Sequence, residues 1–191
     1  SRPSLPSFHM ERSDFILGFG ADFIETWLSP VEYIRKFKSM NSFKDGTKGM
    51  FVHVGPYMSL TAANADKFLP ITAGTEYIVA LGLIRKILET RTIDHLPDPF
   101  LRELAAVAAA YDAKFVEQNT GFLAADQNLL ADSLLASHSP LVLGSTGATT
   151  ADNPFALEMA VTLMNLLLDK DLSLYDFERR HALERVMTAR E

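Results

Sequence analysis

The chain has 191 residues, enough for one large domain or two small ones around a sizeable core and too few for an enzyme assembled from several domains. Lys plus Arg number 18 against 24 Asp plus Glu, a net charge of -6, so no basic surface dominates and no nucleic-acid partner is expected. An apolar share of 48% and a charged share of 22% are those of a chain that folds. The absence of cysteine excludes a disulfide, an iron–sulfur cluster, a thiolate zinc site and a cysteine nucleophile in this chain.

The longest apolar stretches, such as Ala105 to Tyr111, are much shorter than the ~20 residues of a membrane span, so neither direct membrane insertion nor a signal peptide is expected. The chain begins Ser1-Arg2-Pro3 and reaches a strand-like run almost at once, as a piece of a longer protein would. Ser1 to Ser7 carry two prolines and three serines, which predicts a linker over residues 1–12. Phe15 to Phe19, closed by Gly20, reads as a strand buried on both faces. Ser29-Pro30 supplies a cap and a first-turn proline for a helix with Val31, Ile34 and Phe37 on its apolar face. Met50 to Val54 is a second strand, stopped by Gly55-Pro56. A polar loop then leads through Asn64-Ala65-Asp66 to a brief extended segment, Phe68 to Ile71. Thr75 can cap a helix bearing Ile78, Leu81, Ile84 and Leu88. One alanine-rich helix is predicted over Asp98 to Phe115, a break at Asn119-Thr120-Gly121, and a helix from about Ala125 to Leu135. The apolar strand Pro140 to Leu143 leads into a glycine-rich turn, Gly144 to Gly147, and Asn153-Pro154 opens a helix through Leu168. Residues 171–191 read as a charged, helix-prone tail. The alternation predicts an α/β fold, a Rossmann-like parallel sheet flanked by helices in three layers, over residues 13–170.

In such sheets ligands settle at the carboxyl ends of the strands. Three loops qualify: Gly20 to Glu25, Gly55 to Asp66, and Gly144 to Asp152. The first lacks the spaced glycines of a dinucleotide fingerprint, and no P-loop occurs anywhere, which counts against ordinary NAD and ATP enzymes and against an unrelated small nucleotide-dependent enzyme. The five histidines are scattered without ligand spacing, so no metal site is expected, and most read as surface or satisfied core residues. Ser145 has no GxSxG setting and reads as part of a turn. Trp27 can stack on a base, but packing against the sheet is the stronger reading.

The series Val54-Gly55-Pro56-Tyr57, Ser59 to Asp66, Pro70-Ile71 and Ala73-Gly74-Thr75-Glu76 resembles the molybdopterin oxidoreductases of the dimethyl sulfoxide reductase superfamily. In that family a strand ending in Asp-Pro-Arg or Glu-Pro-Arg is followed by Ser/Thr-x-Thr-Ala-x-x-Ala-Asp, an apolar x-x-Pro-Ile and Pro-Gly-Thr-Asp/Glu. Gly20-Ala21-Asp22-Phe23-Ile24-Glu25-Thr26-Trp27 is similar to a segment of the branch containing molybdopterin-like large subunits of quinone reductase complexes and alternative complex III. The resemblance covers roughly Asp14 to Leu168. It implies a nucleotide-binding-like domain of a large subunit of a respiratory electron-transfer enzyme, holding the guanosine end of a molybdopterin guanine dinucleotide. The implied cofactor contacts are Asp22, Glu25, Ser59, Thr61, Asp66, Gly74, Thr75 and Glu76, with Gly144 and Ser145 at the neighbouring strand end, and no catalytic residue. It also implies a membrane-associated bacterial parent on the periplasmic side. The implied partners are the other domains of the parent subunit and the iron–sulfur and membrane subunits of a quinone-linked complex.

The departures favour an alternative, a scaffold or interaction domain that has lost the molybdenum cofactor. Gly55 stands where the family carries a carboxylate, Tyr57 where it carries arginine, and Ala73 where it carries proline. Losing two polar contacts weakens nucleotide binding by at least about tenfold. Local readings compete at single residues as well: Asp22 and Glu25 can cap helix N–H groups, Asp66 can bond a nearby backbone group, and Glu76 can complement a helix dipole.

Overall fold

The computed structural model describes residues 5–43, 46–145 and 153–181. Strand β1 (Leu5–Phe8) and a 3-10 turn (Met10–Arg12) precede β2 (Phe15–Phe19), α1 (Pro30–Met40), β3 (Met50–Gly55), α2 (Leu60–Ala63) and β4 (Lys67–Pro70). Then come α3 (Glu76–Thr90), α4 (Asp98–Ala108), α5 (Ala113–Thr120), α6 (Ala124–Ala136), β5 (Pro140–Leu143), α7 (Pro154–Leu168) and β6 (Tyr175–His181). Four strands form one sheet in the order β4-β3-β2-β5, and every neighbouring pair in it is parallel.

Alternation along the strands decides which layer each side chain joins. Phe15, Leu17, Phe19, Val52, Val54 and Val142 face the layer of α3 to α7, while Ile16, Phe51, Leu141 and Leu143 face Tyr33, Phe37 and Met40 of α1. Burial on both faces is what the apolar runs at Phe15 and Pro140 require. The mixed α/β architecture is therefore as expected, with one addition: β1 and β6 pair antiparallel in a separate small sheet.

That small sheet corrects two expectations. Residues 5–8 of the expected linker are strand β1, and residues 175–181 of the expected helical tail are strand β6; residues 1–4 and 182–191 lie outside the described residues. The cause is tertiary: the Phe8 ring stacks on Trp27 at 5.5 Å and meets Tyr175 edge-on at 5.0 Å, contacts no local propensity encodes. On α1 the buried side chains are Tyr33, Phe37 and Met40, whereas Val31 and Ile34 face outward at 67% and 39% exposure; the aromatic ring and the longer Met side chain bury more apolar area. The single helix expected over 98–115 is two, because the Asp112 carboxylate accepts the Phe115 N–H at 2.7 Å and starts α5 afresh. Within the expected polar loop, Ser59 caps the short helix α2 by accepting the Ala62 N–H at 3.0 Å.

Strand β5 closes one edge of the sheet, and an edge strand leaves backbone groups unpaired. Asn165 of α7, 3% exposed, completes them: its Oδ1 accepts the Val142 N–H at 2.9 Å and its Nδ2 donates to the Val142 carbonyl at 2.8 Å. The same Nδ2 donates to the Tyr175 hydroxyl at 2.9 Å, tying the small sheet to the large one. Asn165→Ala strands these buried groups together, so urea denaturation should show a loss of about 2 to 4 kcal/mol; a loss near zero would mean that water replaces the amide.

Candidate functional site

The loops leaving β2 and β3 meet over the carboxyl end of the sheet. Asp22 is 9% exposed, and its carbonyl accepts the N–H groups of Glu25, Thr26 and Trp27 at 3.0, 3.0 and 3.1 Å, which curls the first loop back on itself. Its carboxylate accepts hydroxyl protons from Tyr57 at 3.0 Å and from Ser59. The hydrogen bond to Asp22 is the chief cause raising the Tyr57 pKa, because ionising the phenol would lose a donor to a carboxylate. Glu25 accepts the Thr61 N–H at 3.2 Å, and the Thr61 hydroxyl in turn accepts the Ile24 N–H at 3.1 Å. Asp22, Glu25, Ser59 and Thr61 therefore form one reciprocal cluster, with Glu25 capping α2 from a different loop.

The remaining candidates sit on other segments, and all but Asp66 also follow the carboxyl ends of parallel strands. Gly74, at φ +86, turns the chain into α3. Thr75 does not cap that helix, since its hydroxyl donates to the Thr72 carbonyl at 2.6 Å. Glu76 is fully buried in the first turn of α3. Glu76 opens α3, whereas Thr61 is bonded to the loop whose Ala21 and Phe23 pack in the α1 layer. Gly144 and the buried Ser145 follow β5; Thr146, Gly147 and the rest of that loop to Asp152 lie outside the described residues. Asp66 is at the opposite end of the sheet, where its carboxylate accepts the Phe51 N–H at 2.9 Å and pairs with Lys48. A carboxylate there anchors the start of β3 and does not reach the other candidates, because the chain has already crossed back to begin β4.

Three residues not among those candidates shape the site. The Trp27 indole N–H donates to the Gly144 carbonyl at 3.1 Å, and its ring packs against Phe8 and, at 4.8 Å, Tyr33, the packing role expected for it. His53, 2% exposed, is the histidine that is neither on the surface nor satisfied: its Nδ1 is buried with no hydrogen-bond partner among the described residues. Its Nε2 stands 3.1 Å from where a Cβ on Gly55 would lie, so the imidazole occupies the space that a side chain at position 55 would enter. Glu158 lies beside Gly144, and the sequence signal for it was its being the one charged residue of α7. No group of three His, Asp or Glu among the described residues is placed to hold a metal ion, and no described helix is long and apolar enough to cross a membrane.

Burial pushes the His53 imidazole down to about 4 from 6.5, with Asp22 and Glu25 pulling weakly the other way. The unfolded chain therefore takes up this proton at higher pH than the folded chain, and folding is penalised as pH falls through that window. Between pH 7 and pH 5 this one group should cost about 2 kcal/mol of stability. Chemical denaturation at the two pH values should show a smaller loss in His53→Leu, and equal losses would assign the pH dependence to other groups.

No family model matches the sequence. The menaquinone reductase molybdopterin-binding-like subunit of Nitratidesulfovibrio vulgaris, strain Hildenborough, is 32% identical over 162 residues, which are 84% of this chain and 23% of that protein. Among solved structures, acetylene hydratase from Pelobacter acetylenicus superposes with a TM-score of 0.70 at 19% identity, over 86% of this chain and 22% of its own. The chain thus spans less than a quarter of the length of either protein. At modest identity, and over that part of its relatives, the chain has a molybdopterin-oxidoreductase-like α/β fold.

Proposed function

We propose that the domain is a scaffold within a molybdopterin-binding-like large subunit, its ancestral guanosine cradle closed by its own side chains. The observation that carries this reading is the Asp22 carboxylate, which is already engaged by Tyr57 and Ser59. Where the resembling family offers an arginine fork, this chain offers a phenol spent on that carboxylate. Where the family offers a carboxylate, it has Gly55, with the His53 ring in the adjoining space. A guanosine would have to break this network before gaining any contact, and each exchanged hydrogen bond returns at best what it costs. These residues do not fit the nucleotide end of a molybdopterin guanine dinucleotide.

The menaquinone reductase relative supports a quinone-linked parent, with oxidoreductase activity residing outside this domain; a membrane-associated bacterial complex on the periplasmic side completes the same reading. Val31, Met58 and Leu60 are each more than half exposed and suit cover by other domains of the parent subunit, which in turn would contact its iron–sulfur and membrane subunits. A second reading keeps guanosine binding through Gly74, Thr75 and Glu76, favoured by the intact Gly-Thr-Glu step and the left-handed Gly74.

Calorimetric titration of the chain with guanosine diphosphate separates the two: the scaffold reading expects no saturable heat up to about millimolar nucleotide. Saturable binding abolished by Glu76→Ala would establish the second reading instead. Molybdenum, tungsten and pterin are expected to be absent from the purified full-length parent, and their presence would overturn the scaffold assignment at the level of the whole subunit.

A further inference from the structure

Strands β2 and β5 are parallel neighbours, yet the chain leaves β2 toward α1 and β5 toward α7, on opposite faces of the sheet. Ligand sites in open α/β sheets form where adjacent strands part in this way. Over this point lies a recess of about 110 Å³ between the end of β5, α7, the Trp27 loop and the small β1–β6 sheet. At ~30 Å³ per water it holds three or four waters' worth of ligand and no nucleoside.

The recess has one acid and an aromatic wall. Glu158 projects from the early part of α7 toward Gly144, where a Cβ would meet its Oε1 at 2.3 Å. Only glycine at position 144 admits the carboxyl group. Its Oε1 is buried with no hydrogen-bond partner among the described residues, an arrangement that costs free energy unless a donor arrives. Phe8, Trp27 and Tyr175 line the same space, and aromatic faces attract cations. The molecule already uses this chemistry next door: the Lys36 ammonium donates to Glu32 at 2.6 Å and to the Phe8 carbonyl at 2.7 Å while lying 5.2 Å from the Tyr33 ring centroid.

We propose that this recess is a binding site for a primary ammonium group, with Glu158 as its counter-charge and the rings of Phe8, Trp27 and Tyr175 as its walls. Burial raises the Glu158 pKa to about 7, so near neutral pH the incoming ammonium displaces a proton from about half of the molecules, and that proton leaves to solvent. Among the described residues the other titratable group facing the acid is Tyr175 on β6, whose own pKa burial and the Glu158 charge push upward; it stays neutral throughout.

The single tryptophan of the chain lines the recess, so its emission is the readout. Titration of the full 191-residue chain with n-butylamine at pH 8 should shift Trp27 fluorescence saturably. Apparent affinity should fall about tenfold at pH 6, where a group titrating near 7 is about one-tenth ionised, and at least about tenfold in Glu158→Gln. A parallel titration with a blocked lysine peptide distinguishes the sources: tighter binding of the peptide assigns the site to a lysine of a neighbouring polypeptide, and tighter binding of butylamine assigns it to a free amine. No saturable shift, or a shift indifferent to both pH and Glu158→Gln, overturns the proposal and leaves the recess to water. If the variant does not fold, the pH comparison on the unsubstituted chain decides alone.

Discussion

The carboxyl end of the sheet is held by Asp22, whose main-chain carbonyl receives three N–H groups of its own loop while its carboxylate receives hydroxyls from the loop after the next strand. The first set of bonds curls residues 22–27 so that Trp27 can reach the Gly144 carbonyl on the far side of β2. The second set fixes Tyr57 and Ser59 over the strand ends. A buried carboxylate is tolerated only with such donors, so the residue that would have been most useful to a ligand is the one most committed to the fold.

Glycines set the geometry around this centre by what they leave out. Gly18 lies against the Phe51 ring, and Gly55 leaves the space into which His53 extends. At β5 the missing Cβ of Gly144 admits Glu158. The two resulting groups, a buried imidazole and a partly buried carboxyl, both lack a partner for one atom among the described residues, and desolvation drives both toward the neutral form. They differ in surroundings. His53 is enclosed by aromatic rings and glycine backbone, whereas Glu158 borders an open recess, which is why the acid and not the histidine invites a ligand.

The small β1–β6 sheet gives the fold a feature that a plain Rossmann-like description omits. Phe8 and Tyr175 roof the Trp27 side of the sheet, and Tyr33 meets the His181 ring nitrogen at 3.0 Å. With Asn165 bridging Tyr175 to β5, the roof is bonded to the body at both ends.

The amino-acid sequence by itself determined the parallel strands and most of the helices that flank them. Short apolar runs such as Phe15 to Phe19 bury both faces wherever they sit, and Asn153-Pro154 starts a helix by local geometry alone, whereas Ser29 makes no side-chain capping bond and Pro30 marks that start without it. Part of the site was legible too: Ser59, Thr61, Asp22 and Glu25 do converge, because consecutive loops of neighbouring parallel strands must meet at one end of the sheet. Only the tertiary structure decided that Asp66 serves the other end, that Tyr57 consumes Asp22, and that residues 5–8 and 175–181 pair as strands. Hydrogen bonds and ring contacts between residues far apart in the chain leave no periodic trace, so only the folded arrangement can show which polar groups remain for a ligand.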